Sequence, residues 1–377
     1  MTETGNARRT PFYKTHLSLG ARMIEFFGWQ MPVQYSGILE EHRCVRGNVG
    51  IFDLSHMGEF EVKGPCAKPF LQRLLTNNLD RARGGKALYS ALCRQNGGVI
   101  DDLLVYQRAE DDFFIVVNAS NIEKDFAWFE QHAAEVSKSG DSVELANRSY
   151  DIALIAVQGQ KATEVVGQVV AAPLDELYYY EFRDETIAGT PVMLARTGYT
   201  GEDGLEVYVE NARAQPVWDA LWAAGEPLGM LPIGLGARDT LRLEMGYALY
   251  GHELTEETNP IEAGIGWVVS AKKEFIGSDV IVPLKKGGTP RTLRGLKLDG
   301  KGVPRQHCAV KAEGAVVGEV TSGTVSPSLG EPIALALIDA AALEKPLCIE
   351  IRGREVPASL ADVPFVPSHV YRRPKTA

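Results

Sequence analysis

Cysteine is scarce: Cys44, Cys66, Cys93, Cys308 and Cys348 are the only five in 377 residues. Their odd number and wide scatter argue against a disulfide framework or a closely paired zinc site, so reduced, mostly structural thiols are expected. Histidine is also sparse, seven in all with no pair spaced i,i+4, which leaves a metal centre without a convergent ligand set, and none is expected. No apolar run approaches the roughly 18–20 residues that cross a bilayer, so a membrane-spanning helix is not expected. Positive charge is in deficit, 39 Lys and Arg against 49 Asp and Glu. The resulting net charge of −10 disfavours binding to phosphate backbones, so nucleic acid is not an expected partner. Most of the small basic clusters at Arg8-Arg9, Lys272-Lys273, Lys285-Lys286 and Arg372-Arg373 read as solvated faces, one of which could receive an acidic partner. The opening residues Met1 to Arg9 have no apolar stretch or cleavage pattern of a secretory signal, and cytoplasmic residence is the default expectation. Neither a Gly-x-Ser-x-Gly elbow nor a phosphate-binding loop is present.

What the chain does have is length for two or three domains and a clear change of pattern along it. Ile38, Leu39, His42 and Val45 lie at helical spacing, with Gly47 and Gly50 where such a helix should stop. Gly58 to Val62 alternates as a strand, and Phe70, Leu71, Leu74 and Leu75 return to helical spacing. Lys86–Arg94 and Val99–Tyr106 flank Gln95-Asn-Gly-Gly98, a hairpin signal in which Asn-Gly supplies positive φ angles. Ser120 and Glu123 form a capping box ahead of a helix that follows the strand Phe113–Val117. The block of about 54–147 therefore reads as an antiparallel α+β unit. Ile152–Val157 is an unbroken apolar strand followed by a helix. Beyond about residue 270, short β segments such as Leu293–Leu298, Ala315–Val320 and Ile333–Ile338 predict a small all-β domain.

Three places could carry chemistry. In Gly97-Gly-Val-Ile-Asp-Asp102, successive strand residues face opposite ways, so only one of the two carboxylates can enter a given pocket. Burial there would raise a carboxyl pKa into the range of a general acid or base, although the pair also fits a solvated turn. The segment Arg196 to Glu206 and the segment Gly234 to Glu244 place Tyr199, Glu206 and Arg238 beside glycine-permitted turns. A carboxylate grips adjacent N–H donors of a planar ring, and an arginine fork can take a carbonyl of the same ligand. Both segments are equally compatible with structural turns, and Arg238 and Arg242 with surface partners of Asp239 and Glu244. Gly234-Leu-Gly-Ala lacks the third glycine and the downstream acid of a dinucleotide site. Ser55-His-Met-Gly58 and Tyr250-Gly-His252 each set a histidine beside glycine, and both read as hydrogen-bonded histidines packed in place.

Taken in order, Arg9-Thr-Pro-Phe-Tyr13, Phe27-Gly-Trp-Gln-Met-Pro32, Phe52-Asp-Leu-Ser-His-Met-Gly58, Lys86-Ala-Leu-Tyr-Ser90, Gly97–Asp102, Thr197–Glu206, Gly234–Glu244 and Thr321-Ser-Gly-Thr-Val-Ser-Pro327 resemble the aminomethyltransferase, or T-protein, family of the glycine cleavage system over nearly the whole chain. Gln160 departs from that pattern, which usually has proline there. The resemblance implies an α+β fold, a three-domain cloverleaf with antiparallel sheets, a small all-β carboxy-terminal domain and a central folate channel. Its implied boundaries are a discontinuous folate-binding domain of 1–53 plus 148–260, an α+β domain of 54–147 carrying the catalytic aspartate, and a barrel or jelly-roll-like domain of 261–377. By motif, Asp102 matches the family's catalytic carboxylate, Asp101 a variable position, and Glu206 the residue that holds the pterin's amino-pyrimidine edge. Tyr89, Asn118, Tyr180, Tyr199, Arg238, Trp267 and Met57 match or neighbour folate-lining positions.

The implied reaction moves the aminomethyl carbon from the lipoyl arm of the H-protein to tetrahydrofolate, releasing ammonia and the reduced carrier without a metal or redox cofactor. A tetrahydrofolate-dependent demethylase of the same fold is the alternative, disfavoured because the matching motifs extend into both terminal segments. A folate-binding accessory protein of iron–sulfur assembly would carry a Lys-Gly-Cys segment that is absent here, and relatives fused to a flavin domain would be longer.

Overall fold

The computed structural model describes residues 7–82, 84–137 and 142–374. Residues 1–6, on which most of the reading of the amino terminus rests, lie outside them.

Two sheets packed face to face and a barrel organise the chain. One sheet runs in the order Phe182–Ile187, Thr190–Ala195, Gly204–Glu210, Ile152–Gln158, Gly50–Asp53, Leu231–Ile233. The second runs Ala87–Cys93, Val99–Ala109, Asp112–Val117, Gly58–Lys63, Glu144–Asn147. From Arg291 to Ala361 six strands close into a barrel in which each strand pairs antiparallel with its neighbours. Two strand pairs depart from the antiparallel pattern. Leu231–Ile233 pairs parallel to Gly50–Asp53, and Arg8–Arg9 parallel to Trp29–Gln34, because in both cases the chain returns by a long connection rather than a hairpin.

A period of two explains how the sheets face each other. In Gly58–Lys63, Phe60 and Val62 pack with Phe70 and Phe129 of the covering helices, which turns Glu59 to the opposite face. That opposite face meets the first sheet through Phe52, Leu54, Tyr106, Phe114, Leu154 and Tyr208, and the hydroxyls of Tyr106 and Tyr208 lie 3.1 Å apart across the junction. The inter-sheet layer is apolar at its centre and opens toward the barrel.

Two of the motif segments latch the barrel in place. Glu244, at the end of the helix Leu235–Glu244, accepts from Ser326 Oγ at 2.5 Å, Ser328 N at 3.0 Å and Ser328 Oγ at 2.8 Å. Burial alone would raise its pKa, but His42 and these donors override it and bring the carboxyl down to about 2. Arg242 bonds Asp239 at 2.8 Å, one of the two partners weighed for it, but also Glu253 at 3.0 Å and Ser322 Oγ at 2.8 Å, and at 1% exposed it is buried rather than on the surface. A buried guanidinium persists only where its donors are met, and the barrel supplies one of them.

Local expectations fail at three points. Only Gly97 of the hairpin turn has positive φ, at 87°, because the Asn96 side chain instead accepts from Gly98 N at 3.1 Å. Gly98 is required for another reason: a Cβ there would lie 1.9 Å from the Glu256 carbonyl oxygen. The capping box does not form. The helix Ile122–Ser137 is entered through a 3-10 turn, Ala119–Asn121, without a side-chain cap, and Glu123 accepts from the Tyr150 hydroxyl at 2.7 Å. Among the basic clusters, Lys273 is half-buried rather than solvated. It donates to the carbonyls of Gln72 and Leu75 at the end of the helix Ala67–Leu74, and burial lowers its pKa to about 7. Gln160 ties its side chain to the Arg46 carbonyl at 2.9 Å, and the next helix begins at Ala162.

Candidate active site

A cavity of about 410 Å³ opens where the two sheets and the barrel meet, a size suited to a drug-sized ligand. Its floor is the inter-sheet layer, with Leu54, Leu104, Val116 and Leu154. Met57, Tyr89, Asp102, Asn118, Tyr180, Tyr199, Glu206, Arg238 and Trp267 all line it. Residues separated by up to 210 positions therefore converge on one space.

Asp102 reaches the cavity because Val99–Ala109 alternates: Asp102, Leu104 and Tyr106 face the junction, while Asp101 and Val105 face the helices. Asp102 accepts from the Tyr89 hydroxyl at 2.7 Å and from Asn118 Nδ2 at 2.9 Å. Burial, reinforced by the Asp101 carboxylate beside it, raises the Asp102 pKa to about 7 despite those two donors. Tyr89 in turn packs against Trp267, ring centroids 5.4 Å apart, and Trp267 is 59% exposed at the cavity mouth.

Asp101 points away from the cavity and is fully buried. It accepts from Asn118 N at 2.9 Å, Asn118 Nδ2 at 2.8 Å and Asn121 Nδ2 at 2.6 Å. The Asn118 amide thus bridges both aspartates.

The far wall carries Glu206 on the strand Gly204–Glu210, 7% exposed, with Thr197 Oγ1 donating to its Oε2. Burial raises the Glu206 pKa, and Thr197 and Arg238 oppose that shift. The turn leading to it is packed so closely that a Cβ at Gly198 would sit 2.1 Å from the Gln158 side chain. Arg238, half-buried, lies over the Tyr199 ring at 4.8 Å, and among the described residues no hydrogen bond uses its guanidinium. Tyr199 donates to the Ala248 carbonyl and stacks on Tyr247 at 5.7 Å. Tyr180 holds a left-handed backbone, φ 66°, a strain of roughly 1–3 kcal/mol of the kind that collects at functional sites.

This wall suits a planar, polar heterocycle. Glu206 offers an acceptor pair to adjacent N–H groups, Arg238 offers free donors to a carbonyl, and tyrosine rings supply flat apolar surface. Across the cavity, Asp102 is a carboxyl able to take or give a proton near neutrality.

Sequence reasoning missed Thr197 as the partner of Glu206, and Asn121 and Asp125 behind Asp101. The i,i+4 spacing of Asn121 and Asp125 was the available signal, but nothing in one strand indicates which helix will cover it. It also misjudged His56. That ring is buried against Phe26, its Nδ1 has no hydrogen-bond partner, and burial, with the nearby Arg238 charge, lowers its pKa to about 4. His252 is hydrogen-bonded as expected, to the Thr321 carbonyl at 3.0 Å. All five cysteines are free thiols. Among the described residues no group of His, Cys, Asp and Glu is placed to hold a metal, and no helix is long and apolar enough to cross a membrane.

Comparison with known proteins gives a consistent result. The family model for the GCVT N-terminal domain matches residues 12–273, and that for the glycine cleavage T-protein C-terminal barrel domain matches residues 291–367. An aminomethyltransferase of Chloroherpeton thalassium is 48% identical over 361 residues, 95% of this chain and 98% of the relative. One of Moorella thermoacetica is 46% identical over 371 residues, 98% and 99% of the two chains. The solved glycine cleavage system aminomethyltransferase T of Bartonella henselae superposes with a TM-score of 0.89 at 32% identity, covering 97% of this chain and 100% of that one.

Proposed function

The chain belongs to the glycine cleavage T-protein, or aminomethyltransferase, family, and from that premise we propose that it carries the aminomethyl carbon of a lipoylated H-protein to tetrahydrofolate. The products are 5,10-methylenetetrahydrofolate, ammonia and the dihydrolipoyl carrier. The single observation that supports this most is the lining of one cavity by Glu206 of the first sheet and Arg238 together with Asp102 of the second sheet.

Tetrahydrofolate is a substrate here, and the residues fit it. A pterin presents an amino-pyrimidine edge for Glu206 and a ring carbonyl for Arg238, with Tyr89, Tyr180, Tyr199, Met57 and Trp267 against its faces and tail. Asn118 contributes through Asp102, whose carboxylate it holds.

Proton balance gives Asp102 its task. Two N–H protons leave the folate nitrogens as the new N–C–N bridge forms, and the departing sulfur and nitrogen each gain one. The carbon in transit carries positive character, which an adjacent carboxylate stabilises. A group that ionises near neutrality can accept a proton in one step and return it in another. The hydroxyl of Tyr89 and the amide of Asn118 keep the carboxylate oriented while it does so.

The turnover test is direct. Purified protein with aminomethyl-lipoylated H-protein and tetrahydrofolate should release ammonia stoichiometrically with methylenetetrahydrofolate, and a folate-dependent loss of methyl groups from small donors should be absent. No ammonia release would overturn the assignment. A smaller test concerns the pterin wall. Thr197→Val removes a donor to Glu206 and is expected to weaken folate binding by about 0.5–1.5 kcal/mol, measured by calorimetry. Unchanged affinity would show that Thr197 serves only the fold.

A further inference from the structure

Behind Asp102 lies a carboxyl that the reaction above does not use. Asp125, on the helix Ile122–Ser137, is fully buried, with its carboxyl against the Asp101 side chain. No amide, hydroxyl or ammonium group reaches either of its oxygens. Two carboxylates are both acceptors, so they can bond only when one of them holds a proton. Asp101 already accepts from three N–H groups, which favours its anion, and Asp125 has none. The proton therefore belongs on Asp125.

We propose that Asp125 is a positioning residue: as a neutral acid it donates to Asp101, holding that anion against Asn118, whose amide in turn carries Asp102. The inference rests on the reading of Asp102 as the proton-handling group. Burial is the main cause of the high proton affinity of Asp102, and Asp101, kept ionised directly behind it, adds to that by disfavouring a second charge there. The other titratable groups facing the pair are few. Lys124 spends its ammonium on the Ile100 carbonyl at 2.8 Å and the Tyr250 hydroxyl at 2.7 Å, Tyr250 itself flanks Asp101, and Tyr89 and Tyr199 flank Asp102 from the cavity side. None of them replaces the missing donor to Asp101.

The test has a spectroscopic arm and a kinetic arm. In ligand-free protein well above the ordinary carboxyl range, infrared difference spectra of wild type against Asp125→Asn should show the loss of one protonated-carboxyl C=O band. Glu59, buried with both oxygens unpartnered and its pKa well raised by burial, should give a separate band removed by Glu59→Gln. In turnover, Asp125→Asn should keep kcat within about threefold, because its amide donates where the acid did. Asp125→Ala should lower kcat by about tenfold or more at unchanged KM for folate. It should also move the acid limb of the pH profile down by about one unit, as Asp101 takes up the proton itself. Absence of the lost band, an Asp125→Asn variant as impaired as Asp125→Ala, or an unmoved limb in Asp125→Ala would each overturn the proposal. If Asp125→Ala does not fold, the band and the Asp125→Asn kinetics decide alone. Should the wild type fail to release ammonia, the function assigned to the cavity falls, while the infrared band still reports where the proton is.

Discussion

Asp102→Asn is expected to lower kcat by about 10²- to 10⁴-fold while folate affinity stays close to that of the wild type. Shape is preserved by the substitution. Asparagine can still accept from the Tyr89 hydroxyl, but it offers no negative charge to the carbon in transit and cannot exchange a proton. The pterin grip on the opposite wall is untouched, so calorimetry should return nearly the wild-type constant. The wild-type profile should show activity falling as pH drops through about 7, where Asp102 becomes protonated, and the residual activity of the variant should lack that limb. Stability supplies an independent sign. A carboxyl whose folded pKa lies above its unfolded value costs the fold stability progressively as pH rises through that window. Asp102→Asn should therefore melt higher than wild type above about pH 7 and much like it in acid. If Asp101→Asn were instead the inactive variant with an intact fold, and Asp102→Asn active, the roles within the pair would be reversed.

Glu206→Gln should weaken folate binding by about 1–3 kcal/mol, or roughly five- to 150-fold in Kd. The glutamine keeps one acceptor but turns an N–H group toward the donors of the pterin edge, and Thr197 loses its charged partner. Arg238, left without the opposing carboxylate, is then a cation in a half-buried wall with only the Tyr199 ring beneath it. Because Glu206 touches the substrate far from the reacting carbon, KM for folate should rise more than kcat falls. Titration calorimetry of the purified variant checks this, and wild-type affinity would remove Glu206 from the pterin site.

How far the chain could be read in advance depended on the range of the signal. Alternation in Val99–Ala109 already separated Asp101 from Asp102, because a strand has only two faces, and the structure turns only Asp102 into the cavity. Glycine-rich turns marked Tyr199 and Glu206 because close packing, such as Gln158 against Gly198, leaves a compositional trace. Asn121 and Asp125 left only their i,i+4 spacing. Their meaning comes from a helix laid across the strand that carries Asp101, and an Asp on a helix otherwise looks like any solvated acid. The burial of Arg242 was hidden for the same reason, since beyond the neighbouring Asp239 its partners Glu253 and Ser322 arrive from a loop and from the barrel. His56 was misread because a hydrogen-bonded histidine is the usual buried one, and only the packed neighbourhood reveals an Nδ1 without a partner.

A structure of the protein soaked with folate shows whether one cavity grips the pterin on one wall and does its chemistry on the other. The expected result is the amino-pyrimidine edge paired with the Glu206 carboxylate, Arg238 on the ring carbonyl, and N5 and N10 turned toward Asp102. A ligand bound outside this cavity, or seated in it with its N5 and N10 nitrogens facing away from Asp102, would contradict the account.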